Sequence, residues 1–443
     1  MLATQRNMTS EHVLAERISQ ARALSDDVFR IVAREALYDR PIPERHRIIF
    51  YIGHLEAFDW NLLSERVLGL KAFHPEFDRL FAFGIDPVGG GLPSDQPSDW
   101  PLLNDVRKYV MRIRAAVDDR LPAVIDSSGL PQSGESLATL LNVAIEHRLM
   151  HVETLAYMLH QLPLDRKVHR SDAPEFVYPP VTPGMVEIPA GEATLGLQRH
   201  SGSFGWDNEF EEHTVSVPGF EIDHYKVTNQ QYLEFLSGGG YDDRSLWSDG
   251  DWQWKTEHGI SHPAFWRKVN GTWLYRTMFA EIPLPLTWPV YVSHAEASAY
   301  ARWAGKSLPT EEQWHRAAYG TRDAGQRYYP WGDAAPDASR GNFDFHRWNP
   351  SPVNASPNGQ SMYGAHDMLG NGWEWTSTPF APFPGFEAFP FYRGYSADFF
   401  DGKHFAMKGG SPRTGACMLR PTFRNWFQAR YQYVYAGFRC VRC

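Results

Sequence analysis

At 443 residues the chain is longer than one ordinary hydrophobic core serves, so two domains are the natural expectation. A formal net charge of -9, with 21% charged residues and no long basic run, argues against nucleic acid and anionic membrane as partners. Aromatics reach 14% and gather in the C-terminal half, which implies loops packed by large rings there rather than helices packed by leucine.

The three cysteines, Cys417, Cys440 and Cys443, lie late in the chain and give no disulfide framework. The opening MLATQRNMTSEHVLAERI lacks a basic segment followed by an apolar one, and no apolar run reaches membrane length. A cytoplasmic, soluble protein is the expectation.

In chain order, residues 10–37 carry amphipathic helix periodicity through Leu14, Ile18, Ala21, Leu24 and Val28. A second helix is expected over 44–70, containing RIIFYIGHLEAFDWNLL. Residues 71–98, with several Gly and Pro including Gly89-Gly90-Gly91, read as a long loop. A third helix is expected over 100–121 and a fourth over 134–160. Four long helices with one long connection predict a four-helix bundle over 1–165. The Pro-rich stretch 166–184 reads as a linker. From 185 to 443 short strand-like pieces, turns and short helices predict an α+β domain with little regular structure.

Within the fourth helix, EHRLMHVETLAYML places His147 and His151 four residues apart, on one face and one turn apart. Taken alone, such a pair is more often two surface or core histidines than a metal site. His54 changes that balance. It sits in the otherwise apolar run Phe50, Tyr51, Ile52, Gly53, Leu55, where an imidazole costs stability unless it is paired or coordinated. Three neutral imidazoles, His54, His147 and His151, would leave open positions on a metal ion, and they do not by themselves choose among Fe(II), Zn(II) and Mn(II). His46, eight residues before His54, could support the site from behind. Glu153 lies about 200° round the helix from His151 and is not counted as a ligand.

The motifs now carry a resemblance. The helical half with its HxxxH pair resembles the DinB-like metal-binding domain. The second half resembles the formylglycine-generating-enzyme domain, a C-type-lectin-like fold, through YKVTNQQYLEFL, WPVYVSHAEASAYARWAGKSLPTEEQWHRAA, YGAHDMLGNGWEWT, MKGGS, RPTFRNW and AGFRC. In that order the two modules resemble ergothioneine-type sulfoxide synthases and their selenoneine synthase branch.

The resemblance implies Fe(II), O2 as co-substrate, and a C–S or C–Se bond made at the imidazole C2 of hercynine, with a thiol, thiosugar or selenosugar donor. It places the metal on His54, His147 and His151. It gives Tyr392 and Tyr395 the catalytic tyrosine positions, where a phenol can supply a proton. It puts Asn425 and Trp426 at the hercynine pocket, the indole facing a quaternary ammonium. It also implies a site shared by both domains, so that residues 1–165 alone would bind metal weakly and not turn over.

Two departures bear on the donor. Phe427 stands where mycobacterial-type relatives carry an Asp that holds γ-glutamylcysteine, and Leu149-Met150 stands where relatives often carry Gln beside the second His. Met150 and Phe427 therefore make the donor pocket more apolar. The rings Tyr431, Tyr433 and Tyr435 could stack on a sugar, which favours a selenosugar, although Arg393, Arg424 or Arg430 could still hold a carboxylate. A single cysteine after GGS, Cys417, argues against formylglycine-generating activity. Two alternatives stay open, a Zn-dependent DinB-like thiol transferase and a non-catalytic sugar-binding module, and the latter leaves the three histidines without a task.

Overall fold

The computed structural model describes residues 10–82, 92–126, 135–170, 179–323 and 325–443. The expected Gly89–Gly91 stretch, the opening nine residues, the expected start of the fourth helix at Gly134 and part of the linker lie outside the described residues. Two compact units divide the chain, Met1–Arg170 and Ser171–Cys443.

The first unit is built on five helices among the described residues: α1 (Ser10–Phe29), α2 (Ile48–Leu63), α3 (Pro75–Leu80), α4 (Leu103–Asp126) and α5 (Leu137–Gln161). The four long ones close a ring in which α1 packs on α5 and α4, and α2 packs on α4 and α5. α4 shows why: Val106, Tyr109, Ile113, Val117, Leu121 and Ile125 fall every three or four residues and are buried, while the rest of the helix stays polar. α2 is apolar on nearly every side and is buried along most of its length, as a central helix must be. Ser136 caps α5 by accepting from the Thr139 amide at 3.0 Å.

The structure trims the expected helices. The first stops at Phe29, and only a 3-10 turn at Arg34–Ala36 continues toward Leu37. The second starts at Ile48 rather than 44 and ends in a π-helical turn, Ser64–Leu68, closed by Gly69 at φ 64°. The expected loop 71–98 contains α3, with Pro75 in its first turn and the His74 side chain capping the Phe77 amide at 3.3 Å. The expected linker is tied at both ends. Val168 N bonds Ile31 O at 2.8 Å in the first unit, and His224 N bonds Gly184 O at 2.9 Å in the second.

The second unit opens with β1 (Met185–Ile188), β2 (Gly191–Leu195), β3 (His213–Val217) and β4 (Phe220–Asp223), then α6 (Asn229–Ser237) and α7 (Asp249–Glu257). After β5 (Trp266–Val269), β6 (Thr272–Arg276) and β7 (Glu281–Pro283) come α8 (His294–Trp303) and α9 (Glu311–Tyr319). The chain ends through β8 (Trp373–Pro379), β9 (His404–Lys408), β10 (Asn425–Gln428), β11 (Ala436–Gly437) and β12 (Val441–Arg442). These pair as β1-β4-β12, β2-β3, β5-β6-β7 and β10-β9-β8-β11, with β11 parallel to β8. It is an α+β unit with long irregular connections, as expected.

Several of the motifs that carry the resemblance serve as structural devices. Thr228, Ser293 and Thr310 close capping boxes with Gln231, Glu296 and Gln313, which start α6, α8 and α9. In the WEW segment, Glu374 meets Arg439 at 2.6 Å and Lys226 at 3.1 Å, all three fully buried. Ile188, Phe220, Ile222, Trp314, Met368, Leu369 and Val441 meet in one apolar cluster, so the last strand seals the core begun by the first. Among the described residues no helix is long and apolar enough to cross a membrane.

Candidate metal centre

His54 comes from the middle of α2, and His147 and His151 come from one face of α5. Their imidazoles converge. His54 Nε2 lies 3.2 Å from His151 Nε2, which lies 3.1 Å from His147 Nε2. The three donor nitrogens fall within 4.8 Å of one another, and among the described residues no other group of histidine, cysteine and carboxylate side chains gathers this way.

The tautomers matter. His54 Nδ1 is 2.7 Å from the Phe81 carbonyl, which can only accept, so Nδ1 carries the proton and Nε2 presents a lone pair. His151 Nε2 faces two neighbouring ring nitrogens, and one proton there can serve only one of them. A divalent cation serves all three lone pairs at once. Bonds of about 2.1 Å meeting near right angles would set donor nitrogens about 3.0 Å apart, which the His54–His151 and His151–His147 spacings match.

The pocket keeps these rings neutral. Burial brings His54 down to about 4, against the Phe81 hydrogen bond, and the charges of His46 and Arg148 lower it further. Burial likewise takes His147 and His151 well below the ordinary value, with neighbouring imidazoles and Arg148 adding to it. Phe50 stacks on His54 at 4.8 Å and Phe58 on His147 at 3.3 Å, which fixes two of the ring planes. His46 lies on Phe50 at 4.3 Å, on the far side of that ring's stack with His54. Glu153 stands outside the cluster, as its place on the helix implies.

Sequence reasoning missed what lies behind the histidines. Arg148, next to His147, is fully buried and bonds Glu56 at 3.0 Å and Asp59 at 2.7 Å, both on α2. Arg114 of α4 adds a 2.7 Å contact to Glu56 and a 2.8 Å contact to Asp26 of α1. Burial pushes Glu56 up, but Arg148, Arg114 and Arg22 outweigh it and hold the carboxyl below the usual range. Burial wins at Asp59 and raises it. The knot ties all four long helices together one turn from the ligands. Two acids in an apolar helix, Glu56 and Asp59, were the available signal.

Neutral buried histidines set a pH dependence. His54 at about 4, His294 at about 4 and His315 at about 3 join His147 and His151, all depressed first by burial. The unfolded chain binds protons near 6.5 while the folded one does not, so stability is present above 6.5 and is lost as pH falls toward 4. Each such histidine contributes on the order of 2 kcal/mol of loss by pH 5. Asp207 and Asp367, pushed up to about 6 by burial, act in the opposite sense, as do Asp59, Asp78 and Glu296, while His224, His262 and His366 add to the imidazole side, which prevails. Thermal unfolding of metal-free protein should begin at clearly lower temperature at pH 5 than at pH 7.5. An unchanged onset would contradict the buried neutral state.

In the second unit the expected residues separate by role. Tyr395 is buried and stacked on Trp206 at 3.9 Å, a packing ring, while Tyr392 beside it is partly exposed. Trp426, on the sheet-edge strand β10, has one face covered by Phe380 at 4.2 Å and an edge contact to Tyr395 at 5.4 Å. Asn425, also on β10, accepts the Trp426 amide at 2.8 Å through its side chain. Phe427 stacks on Tyr431 at 5.1 Å, and Tyr433 meets Tyr431 edge-on at 5.5 Å. Tyr435 departs from expectation: it is buried against Tyr291 and Phe265 and offers no sugar platform. Met150, on α5 between His147 and His151, is half-buried.

Two of the three arginines considered for a donor carboxylate are already paired. Arg424 is buried in a two-pronged contact with Glu311 at 2.9 and 3.0 Å. Arg430 meets Asp251 at 2.9 Å.

Residues 173–443 match the sulfatase-modifying factor enzyme 1-like domain family. A hercynine oxygenase from Mycolicibacterium smegmatis is 37% identical over 440 residues, covering 92% of this chain and 99% of that protein. One from Mycolicibacterium thermoresistibile is 38% identical over 352 residues, covering 76% of this chain and 75% of the relative. Ergothioneine biosynthesis protein 1 of Neurospora crassa is 27% identical over 501 residues, covering 93% of this chain and 56% of its own length.

Proposed function

We propose, from the premise that this chain belongs to the hercynine oxygenase family and carries its sulfatase-modifying factor enzyme 1-like domain, that it is an O2-dependent enzyme acting on hercynine. The observation that carries the chemistry is the convergence of three neutral imidazole nitrogens in a buried pocket.

In this reading His54, His147 and His151 hold Fe(II), and iron there would supply activation of O2. The reaction joins imidazole C2 to the sulfur or selenium of a donor. The C2–H and donor X–H bonds break and the C2–X bond forms. O2 takes four electrons, leaving one oxygen on X and the other in water with the two hydrogens. Trp426 faces the trimethylammonium group, and Asn425 orients the substrate. Tyr392, the more exposed of the tyrosine pair, holds a proton near the reacting oxygen. Metal analysis of anaerobically prepared protein, followed by O2 consumption with hercynine and candidate donors, tests the assignment. Zinc as the native metal with no O2 uptake would refute it.

The donor reading favours a neutral seleno- or thiosugar over γ-glutamylcysteine. A bound carboxylate in a partly dry pocket needs an opposite charge or several hydrogen bonds. Phe427 offers neither, and Arg424 and Arg430 are committed to Glu311 and Asp251. In competition at fixed hercynine, a selenosugar or thiosugar should give a kcat/KM at least about 10-fold above that for γ-glutamylcysteine, the scale of one lost charge-assisted contact. The reverse order would overturn the reading of Phe427 and leave the iron assignment intact.

A further inference from the structure

Gly53 stands one residue before a proposed ligand, in mid-helix, where Ala would be the better helix former. The reason lies across the interface with α3. A Cβ on Gly53 would fall 2.6 Å from three carbons of the Phe81 ring, closer than real contacts allow. That ring has nowhere to go. It is fully buried and boxed by Phe77 at 5.5 Å, Tyr109 at 6.0 Å, Phe50 at 6.4 Å and Trp100 at 6.4 Å.

Phe81 is also the residue whose carbonyl receives His54 Nδ1–H at 2.7 Å. α3, which ends just before it, is pinned by Asp78: Tyr109 Oη donates to its carboxylate at 2.6 Å and Asn61 Nδ2 to its carbonyl at 3.1 Å. The absent side chain at 53 therefore sets how close Phe81 comes, and Phe81 sets which nitrogen of His54 is bare.

We propose that Gly53 and Phe81 form a positioning pair for the metal centre: the room left by the glycine admits the Phe81 ring and so lets the Phe81 carbonyl reach Nδ1, which fixes His54 in the tautomer that offers Nε2. The inference rests on the three-histidine metal reading and adds to it the control of one ligand from α3. Partners of this kind, set behind a ligating imidazole, change metal affinity by roughly 10–100-fold when disturbed.

The test uses the full chain, freed of metal and titrated anaerobically with Co(II), followed by its visible absorption. Gly53→Ala should weaken Co(II) binding about 10-fold or more. Phe81→Leu, which keeps the backbone carbonyl and removes the ring, should stay within a few-fold of the parent, and Gly53→Ala/Phe81→Leu should regain most of the lost affinity. Gly53→Ala binding as tightly as the parent would overturn the proposal, as would a loss that Phe81→Leu fails to restore. Nitrogen NMR of the unsubstituted metal-free chain needs no variant: a proton on His54 Nδ1 is expected, and one on Nε2 would overturn it. No Co(II) binding by the parent would instead refute the metal reading itself.

Discussion

Replacing His147 with Ala should abolish stoichiometric iron and cut hercynine-dependent O2 consumption by at least about 10³-fold, about 4 kcal/mol of transition-state stabilisation. The argument is one of count. Three nitrogens make the face, they come from only two helices, and no carboxylate or thiol joins them among the described residues. The two imidazoles that remain, His54 on α2 and His151 on α5, do not retain a labile divalent ion at ordinary concentrations. The fold should survive, because the ionic knot behind the site does not involve the imidazole. Iron per chain by elemental analysis, O2 uptake and far-ultraviolet circular dichroism read the three consequences separately. His147→Ala or His54→Ala with full iron occupancy would end the assignment.

The second large effect is on stability. Arg148→Met should destabilise the helical unit by about 3–5 kcal/mol, because it leaves Glu56 and Asp59 buried with their strongest partner gone. Arg114 still reaches Glu56 but is itself partly exposed and shared with Asp26. Adding Glu56→Gln and Asp59→Asn to Arg148→Met should recover much of the loss, since no uncompensated charge remains. Hydrogen exchange of the α5 amides measures this without treating two units as one transition. A change under about 1 kcal/mol in Arg148→Met would show the knot to be dispensable.

The three converging histidines were legible because each broke a local rule. An HxxxH pair on a strongly helical stretch and a lone histidine inside FYIGHLEAF both need an explanation that packing alone does not give. The bundle was legible through periodicity, though its ends were not: the π-helical turn at Ser64–Leu68 and the 3-10 turn at Arg34–Ala36 keep a helix-like pattern while leaving the helix. α3 was hidden by the Gly and Pro around it, although Pro75 at a first turn marked its start. In the second unit periodicity says little, because rings pack from irregular segments. Nothing local distinguishes Tyr395, sealed against Trp206, from its half-exposed neighbour Tyr392, and only three-dimensional contact shows Tyr435 to be core.

In the three-histidine metal reading, the imidazoles are held in place before any ion arrives, by the Phe81 carbonyl, the Phe50 and Phe58 stacks and the Arg148 knot. Such a chelate has no folding step with which to choose its metal. Affinity at an all-imidazole site then follows the general order in which copper and zinc exceed iron. Protein overproduced in copper- or zinc-rich medium should therefore be mismetallated and silent, and chelation followed by anaerobic reloading with Fe(II) should restore it. On that reading, supply at the moment of first filling, outside the protein, decides the identity of the ion.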